Sequence, residues 1–113
     1  MKTKAILLLT SIAVVSVAAF AQAPSPDNGK IVFDNWCVHC HGASSTGALP
    51  GTAALALKYN DTLPPVLEER TDLTPEFVRT VVRNGLISMP RTRKTEVSDA
   101  ELEDIVAYLT DGT

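Results

Sequence analysis

Four side chains with chemistry to offer sit in five consecutive residues, Cys37-Val38-His39-Cys40-His41. The spacing C-x-x-C-H is the attachment motif for a c-type haem. On a helix the two thiols lie about one turn apart, close enough to reach both vinyl groups on one edge of a porphyrin. The imidazole of His41 then falls beneath the iron, which makes it the proximal ligand. A chain built around this motif moves single electrons.

The opposite face of the iron needs its own donor. Apart from Met1, the chain has one methionine, Met89, and one other histidine, His39. His39 lies inside the attachment turn and cannot reach around to the other face. Met89 is therefore the expected distal ligand, held in a loop that Pro90 stiffens through its fixed φ. His–Met ligation leaves no open coordination position and raises the reduction potential. It suits electron transfer and argues against a sensor or a peroxidase.

Two other chemistries use the same residue types. The cysteine pair could form a thiol–disulfide oxidoreductase site, its nucleophile activated by the intervening histidine. That chemistry sits on a βαβ framework, and the chain shows no period-two alternation that would make strands. Structural zinc needs four ligands, and no further Cys or His residues exist to complete the set.

The elements that must position these residues read as helices throughout. Gly29, Val32, Phe33 and Trp36 recur at i, i+3, i+4 and i+7, one helix face running into Cys37, with Asp27 as the expected N-cap. Thr74 and Pro75 open a second amphipathic helix that carries Phe77, Val78, Val81 and Val82 inward and ends at Gly85. Ser98 and Glu101 form a capping box ahead of Leu102, Ile105, Val106 and Leu109. Ala53 to Tyr59 predicts a shorter helix, and Pro64-Pro65 breaks the chain after it. The fold class is all-α.

The first residues carry an address. Met1 to Lys4 is basic, Ala5 to Phe20 is almost wholly apolar, and small residues follow at Ala19, Ala21 and Ala23. This is the layout of a secretory signal peptide, residues 1–21, cleaved after Ala21 or alternatively after Ala23. The apolar stretch is shorter than the ~20 residues a spanning helix needs. The mature protein, residues 22–113, is thus expected to be one periplasmic domain without a membrane span. Of 113 residues in all, only one is Trp, two are Tyr and three are Phe. So small a domain has a marginal core and needs a staple, which one covalent haem c would supply.

The chain carries a formal net charge of −3, and the signal takes Lys2 and Lys4 with it. An acidic protein without a basic stripe interleaved with aromatics is not a nucleic-acid binder. Within it, Arg79, Arg83, Arg91, Arg93 and Lys94 cluster around the second amphipathic helix and the Met89 loop. Such a basic face would steer an acidic partner toward the haem edge. Arg79 and Arg83, four residues apart, also fit an ordinary solvated helix face.

Taken together, the haem motif after an amphipathic helix, the loop Met89-Pro90 and the closing amphipathic helix resemble the small monohaem class I cytochromes c. The likeness covers residues 22–113. It implies a small cytochrome c fold in which the N- and C-terminal helices cross around a covalently bound haem, with Gly29, Phe33, Tyr108 and Leu109 at the crossing. It also implies a proline carbonyl that accepts the Nδ1 proton of His41, for which Pro50 is the candidate. The run Val82 to Pro90 is similar to the haem loop in cytochrome subunits of flavocytochromes such as p-cresol methylhydroxylase. That likeness implies a flavoprotein dehydrogenase as donor, of the type that oxidises 4-alkylphenols. Otherwise the expected partners are another dehydrogenase as donor and an oxidase or a further cytochrome as acceptor. In either case the chain is not itself an enzyme.

Overall fold

The computed structural model describes residues 22–43 and 49–111. The expected export signal, residues 1–21, lies outside the described residues. Within them are five α-helices, α1 (Pro26–Trp36), α2 (Val38–His41), α3 (Pro50–Tyr59), α4 (Pro75–Asn84) and α5 (Asp99–Thr110), and a 3-10 turn at Leu67–Glu69. No strand forms among the described residues; one isolated antiparallel bridge pairs Leu86 with Met89. None of these helices is long and apolar enough to cross a membrane. The all-α expectation is met.

Local signals start the helices where side-chain oxygens can take up free backbone N–H groups. Ser98 accepts from the Glu101 N–H while the Glu101 carboxylate accepts from the Ser98 N–H at 2.7 Å, a complete capping box for α5. Thr74 accepts from the Phe77 N–H ahead of Pro75 in α4. The cap of α1 is a correction: Ser25, not Asp27, accepts from the Asn28 N–H, and Pro26 takes the first helical position. Asp27 falls inside the first turn, where its charge still favours the helix N-terminus. Helix α3 begins at Pro50, earlier than expected, because a proline at the first position needs no donor there.

Helices α1 and α5 cross and hold the core. Gly29, Val32 and Phe33 from α1 are buried, as are Leu102, Ile105, Val106 and Leu109 from α5. Phe33 is fully buried and its ring lies 5.7 Å from that of Tyr108, tilted by 58°. The crossing is close because Gly29 has no side chain: a Cβ there would stand 2.0 Å from the Asp104 carbonyl oxygen. The start of α1 is tied to α5 at the same place. The Ser25 N–H and the Asn28 amide both donate to the Asp104 carboxylate, at 2.7 and 2.5 Å. Tyr108 donates to Glu68, which fastens the 3-10 turn to α5.

Two expected core residues are exposed, and a third, Val81, is only half-buried. Val78 and Val82 of α4 face inward, but Phe77 is 46% exposed, and Trp36 at the end of α1 is 52% exposed. Leu57 of α3 and Leu86 after α4 are exposed as well. Four elements thus present large apolar side chains that no other part of the described protein covers.

An ion pair between a buried arginine and an exposed aspartate lies between α3 and α4. Arg70 is 7% exposed and holds Asp72 in a fork, Nε to Oδ1 at 2.5 Å and Nη2 to Oδ2 at 2.6 Å. Its guanidinium lies over the Tyr59 ring, 4.5 Å from the centroid.

Candidate haem-attachment site

The motif folds as a tight helical turn continuous with α1. The Cys37 N–H donates to the Phe33 carbonyl at 2.8 Å, which carries the end of α1 into the turn. The Cys40 and His41 N–H groups then both donate to the Cys37 carbonyl, at 3.0 and 2.9 Å. Cys37, Cys40 and His41 are thereby brought onto one turn, as their spacing predicts. Both cysteines are free thiols, Cys37 partly buried against the core and Cys40 exposed.

Burial sets the electrostatics. It pushes the Cys37 thiol up to about 11, with a smaller push from Cys40. A redox-active cysteine pair needs the opposite shift, so this environment counts against the thiol–disulfide reading. Burial also lowers the His41 pKa, which favours the neutral imidazole that can ligate a metal.

The His41 ring is seated against α3. Its Nδ1 is buried without a hydrogen-bond partner among the described residues. The place where a Gly51 Cβ would stand is 2.8 Å from Nδ1 and 2.6 Å from Cε1. With Nδ1 sealed, Nε2 is the nitrogen left to bond outward. The Pro50 carbonyl does not hold Nδ1, contrary to expectation: Pro50 opens α3, and carbonyls of the first turn belong to the helix ladder. Gly51 and Thr52 are the site residues that sequence reasoning missed. Thr52 is 7% exposed and donates to the Gly42 carbonyl at 3.0 Å and the Cys40 carbonyl at 3.3 Å.

Met89 comes from a different element, a turn after α4. The Met89 N–H donates to the Leu86 carbonyl at 2.9 Å and the Leu86 N–H to the Met89 carbonyl at 3.1 Å. Gly85, at φ 74°, lets the chain leave α4, and a Cβ there would meet the Met89 carbonyl at 2.5 Å. Ile87 holds a left-handed φ of 55° with its side chain 95% exposed. A β-branched residue there is an outlier.

The expected basic face is largely neutralised. Arg79 pairs with Glu103 at 2.6 Å, Arg83 and Lys94 both pair with Asp99 at 3.0 and 2.6 Å, and Arg93 pairs with Glu96 at 2.9 Å. The acids come mainly from α5, packed beside α4. Of the five cations, only Arg91 has no ion pair among the described residues.

The residues fit a covalent haem. Two free thiols and an imidazole share one turn, a glycine cradle seats the ring, and large apolar side chains on four elements are exposed. Comparison with known proteins agrees: residues 24–109 match the family model described as cytochrome c oxidase, cbb3-type, subunit III. The chain belongs to this cytochrome c family and has its small all-α fold. Membership implies haem c and a role in electron transfer.

Among curated proteins, the chain is similar to the cytochrome c subunit of 4-cresol dehydrogenase [hydroxylating] from Pseudomonas putida. The two are 32% identical over 93 residues, 81% of this chain and 67% of that one. No solved structure gives a significant match.

Proposed function

We propose that the chain is an exported, periplasmic one-electron carrier, its mature domain running from residue 22 to 113 after loss of residues 1–21. One haem c is held by thioether bonds to Cys37 and Cys40, with His41 and Met89 as iron ligands. The observation that carries this reading is the single turn bearing both free thiols and a half-buried His41 whose Nδ1 is sealed and whose pKa is lowered by burial. When bound, the haem would supply one-electron redox chemistry. The chain's own residues do the rest: the thiols would anchor the group, and His41 Nε2 and the Met89 thioether, carried on the Leu86–Met89 turn, would hold the iron. With both ligands supplied by side chains, the site would favour electron transfer over oxygen or peroxide chemistry.

Covalent attachment is tested by Cys40→Ala, exported from a host that attaches haem. Haem staining after denaturing electrophoresis should fall to a small fraction of the parent's, and undiminished staining would overturn the motif reading. Distal ligation is tested by Met89→Ala. The reduced variant should bind carbon monoxide where the parent does not, with loss of the weak red band of iron–sulfur ligation in the oxidised spectrum. A variant as unreactive as the parent would remove Met89 from the iron.

A second reading rests on the similarity to a dehydrogenase cytochrome subunit. Here the chain is a permanent subunit that accepts electrons from a flavoprotein dehydrogenase of the 4-alkylphenol-oxidising type. The two readings part on purification: a subunit travels with a flavin-bearing chain at fixed stoichiometry, whereas a carrier purifies alone and serves a dehydrogenase and an oxidase or second cytochrome in turn.

A further inference from the structure

We infer that Gly51 and Thr52, in the first turn of α3, are positioning residues that set the orientation of the His41 ring. The inference rests on the proposed role of His41 as an iron ligand. Metal-bound histidines are ordinarily oriented by a hydrogen bond from the second ring nitrogen. In this chain that nitrogen, Nδ1, is buried and meets no hydrogen-bond partner among the described residues. Helix α3 constrains the ring and its backbone in two further ways.

The first is shape. A Cβ at position 51 would lie 2.6 Å from His41 Cε1, 2.8 Å from Nδ1 and 2.8 Å from the Cys40 carbonyl oxygen. These separations are shorter than any side-chain carbon tolerates, and one of the three atoms is backbone. Glycine is a poor helix residue, yet here it opens a ten-residue helix. Its lack of a side chain creates the slot that the edge of the imidazole fills.

The second is a clamp on the chain at either side of the ring. The buried hydroxyl of Thr52 donates to the Gly42 carbonyl and, more weakly, to the Cys40 carbonyl, at 3.0 and 3.3 Å. Those carbonyls flank His41 and belong to the end of α2, where helix geometry leaves oxygens unpaired. One side chain thus fixes the backbone before and after His41, while its neighbour fixes the ring. The backbone and the ring cannot rotate independently of α3.

The test uses the haem-loaded, full-length chain and three variants, Gly51→Ala, Thr52→Val and Thr52→Ser. The readout is the set of paramagnetically shifted haem-methyl proton resonances in the oxidised state, which follows the plane of an axial imidazole. The reduction potential is read alongside. Gly51→Ala should change the order or spread of those resonances, Thr52→Val should shift them in smaller measure, and Thr52→Ser should restore the parent pattern. A core variant, Val78→Ala, supplies the comparison for stability lost without a moved ring and should keep the parent pattern. Thr52→Val, which keeps the side-chain shape, carries the test alone if Gly51→Ala does not accumulate. Parent-like resonances in the haem-loaded variants would overturn the inference. A parent chain that never acquires haem would instead overturn the proposed function.

Discussion

Gly29→Val should leave the chain without a folded core. The Cβ of any side chain at position 29 meets the Asp104 carbonyl oxygen at 2.0 Å, its carbon at 2.5 Å and the Tyr108 Cβ at 2.8 Å. Two of these atoms are backbone inside α5, so no rotamer change relieves the overlap. Only separation of α1 from α5 does, and that exposes Phe33, Ile105 and Val106, each buried to 4% exposure or less. Ordinary overpacking costs about 1–3 kcal/mol; a backbone collision at the main helix crossing exceeds that range. Domain stabilities are only about 5–15 kcal/mol in total, and so small a domain sits low in that span. Far-ultraviolet circular dichroism and a thermal melt check the outcome. A valine variant that melts cooperatively near the parent temperature would mean that the helices do not cross at Gly29.

Asp72→Ala should destabilise the fold by about 1–2 kcal/mol. Removing one partner of a buried ion pair leaves the other charge uncompensated, which costs about 3–5 kcal/mol where both are sealed. Here the Arg70 side chain is 3% exposed but Asp72 is 43% exposed, which places the loss below that range. The double variant Arg70→Met with Asp72→Ala should recover much of it, because two apolar side chains leave no orphaned charge. Chemical denaturation of the four proteins gives the coupling directly. A double variant no better than Asp72→Ala would mean the pair contributes through shape alone.

The same pair predicts a pH dependence. The Arg70 guanidinium, chiefly through its hydrogen bonds, holds the Asp72 carboxyl below the usual carboxylate range. A carboxyl lowered in the folded state stabilises the protein fully above its unfolded pKa of about 4. That contribution disappears as pH falls through the lower folded value. Asp72→Ala should therefore be less sensitive to acid than the parent below about pH 4.

What could be read from the sequence was whatever depends on near neighbours. The Ser98–Glu101 box and the Thr74–Pro75 start satisfy their own helices within three residues, and both form as expected. The attachment turn is equally local. Features that depend on distant partners were not legible. Thr52 meets carbonyls ten and twelve residues away, and Arg79 finds Glu103 at a separation of 24. A charge run therefore looked like a free basic face when α5 neutralises it. Trp36 and Phe77 show a different limit. Helical period marks a residue as apolar and facing one way, but it does not say whether protein or a bound group covers it. Arg70 carried no signal at all, since a lone arginine between Glu69 and Thr71 reads as surface until its burial is seen.

The crossing of α1 and α5 also makes one thiol depend on distant parts of the chain. Ser25 and Asp104, joined in the folded chain, are separated by 79 residues. A core built on so distant a pairing has a high loop-closure cost, unlike the local turn of residues 37–41. Cys37 packs against that core, whereas Cys40 stays exposed. The two thiols of one turn thus differ in what shields them: the accessibility of Cys37 is set by the closing helix, and that of Cys40 is not.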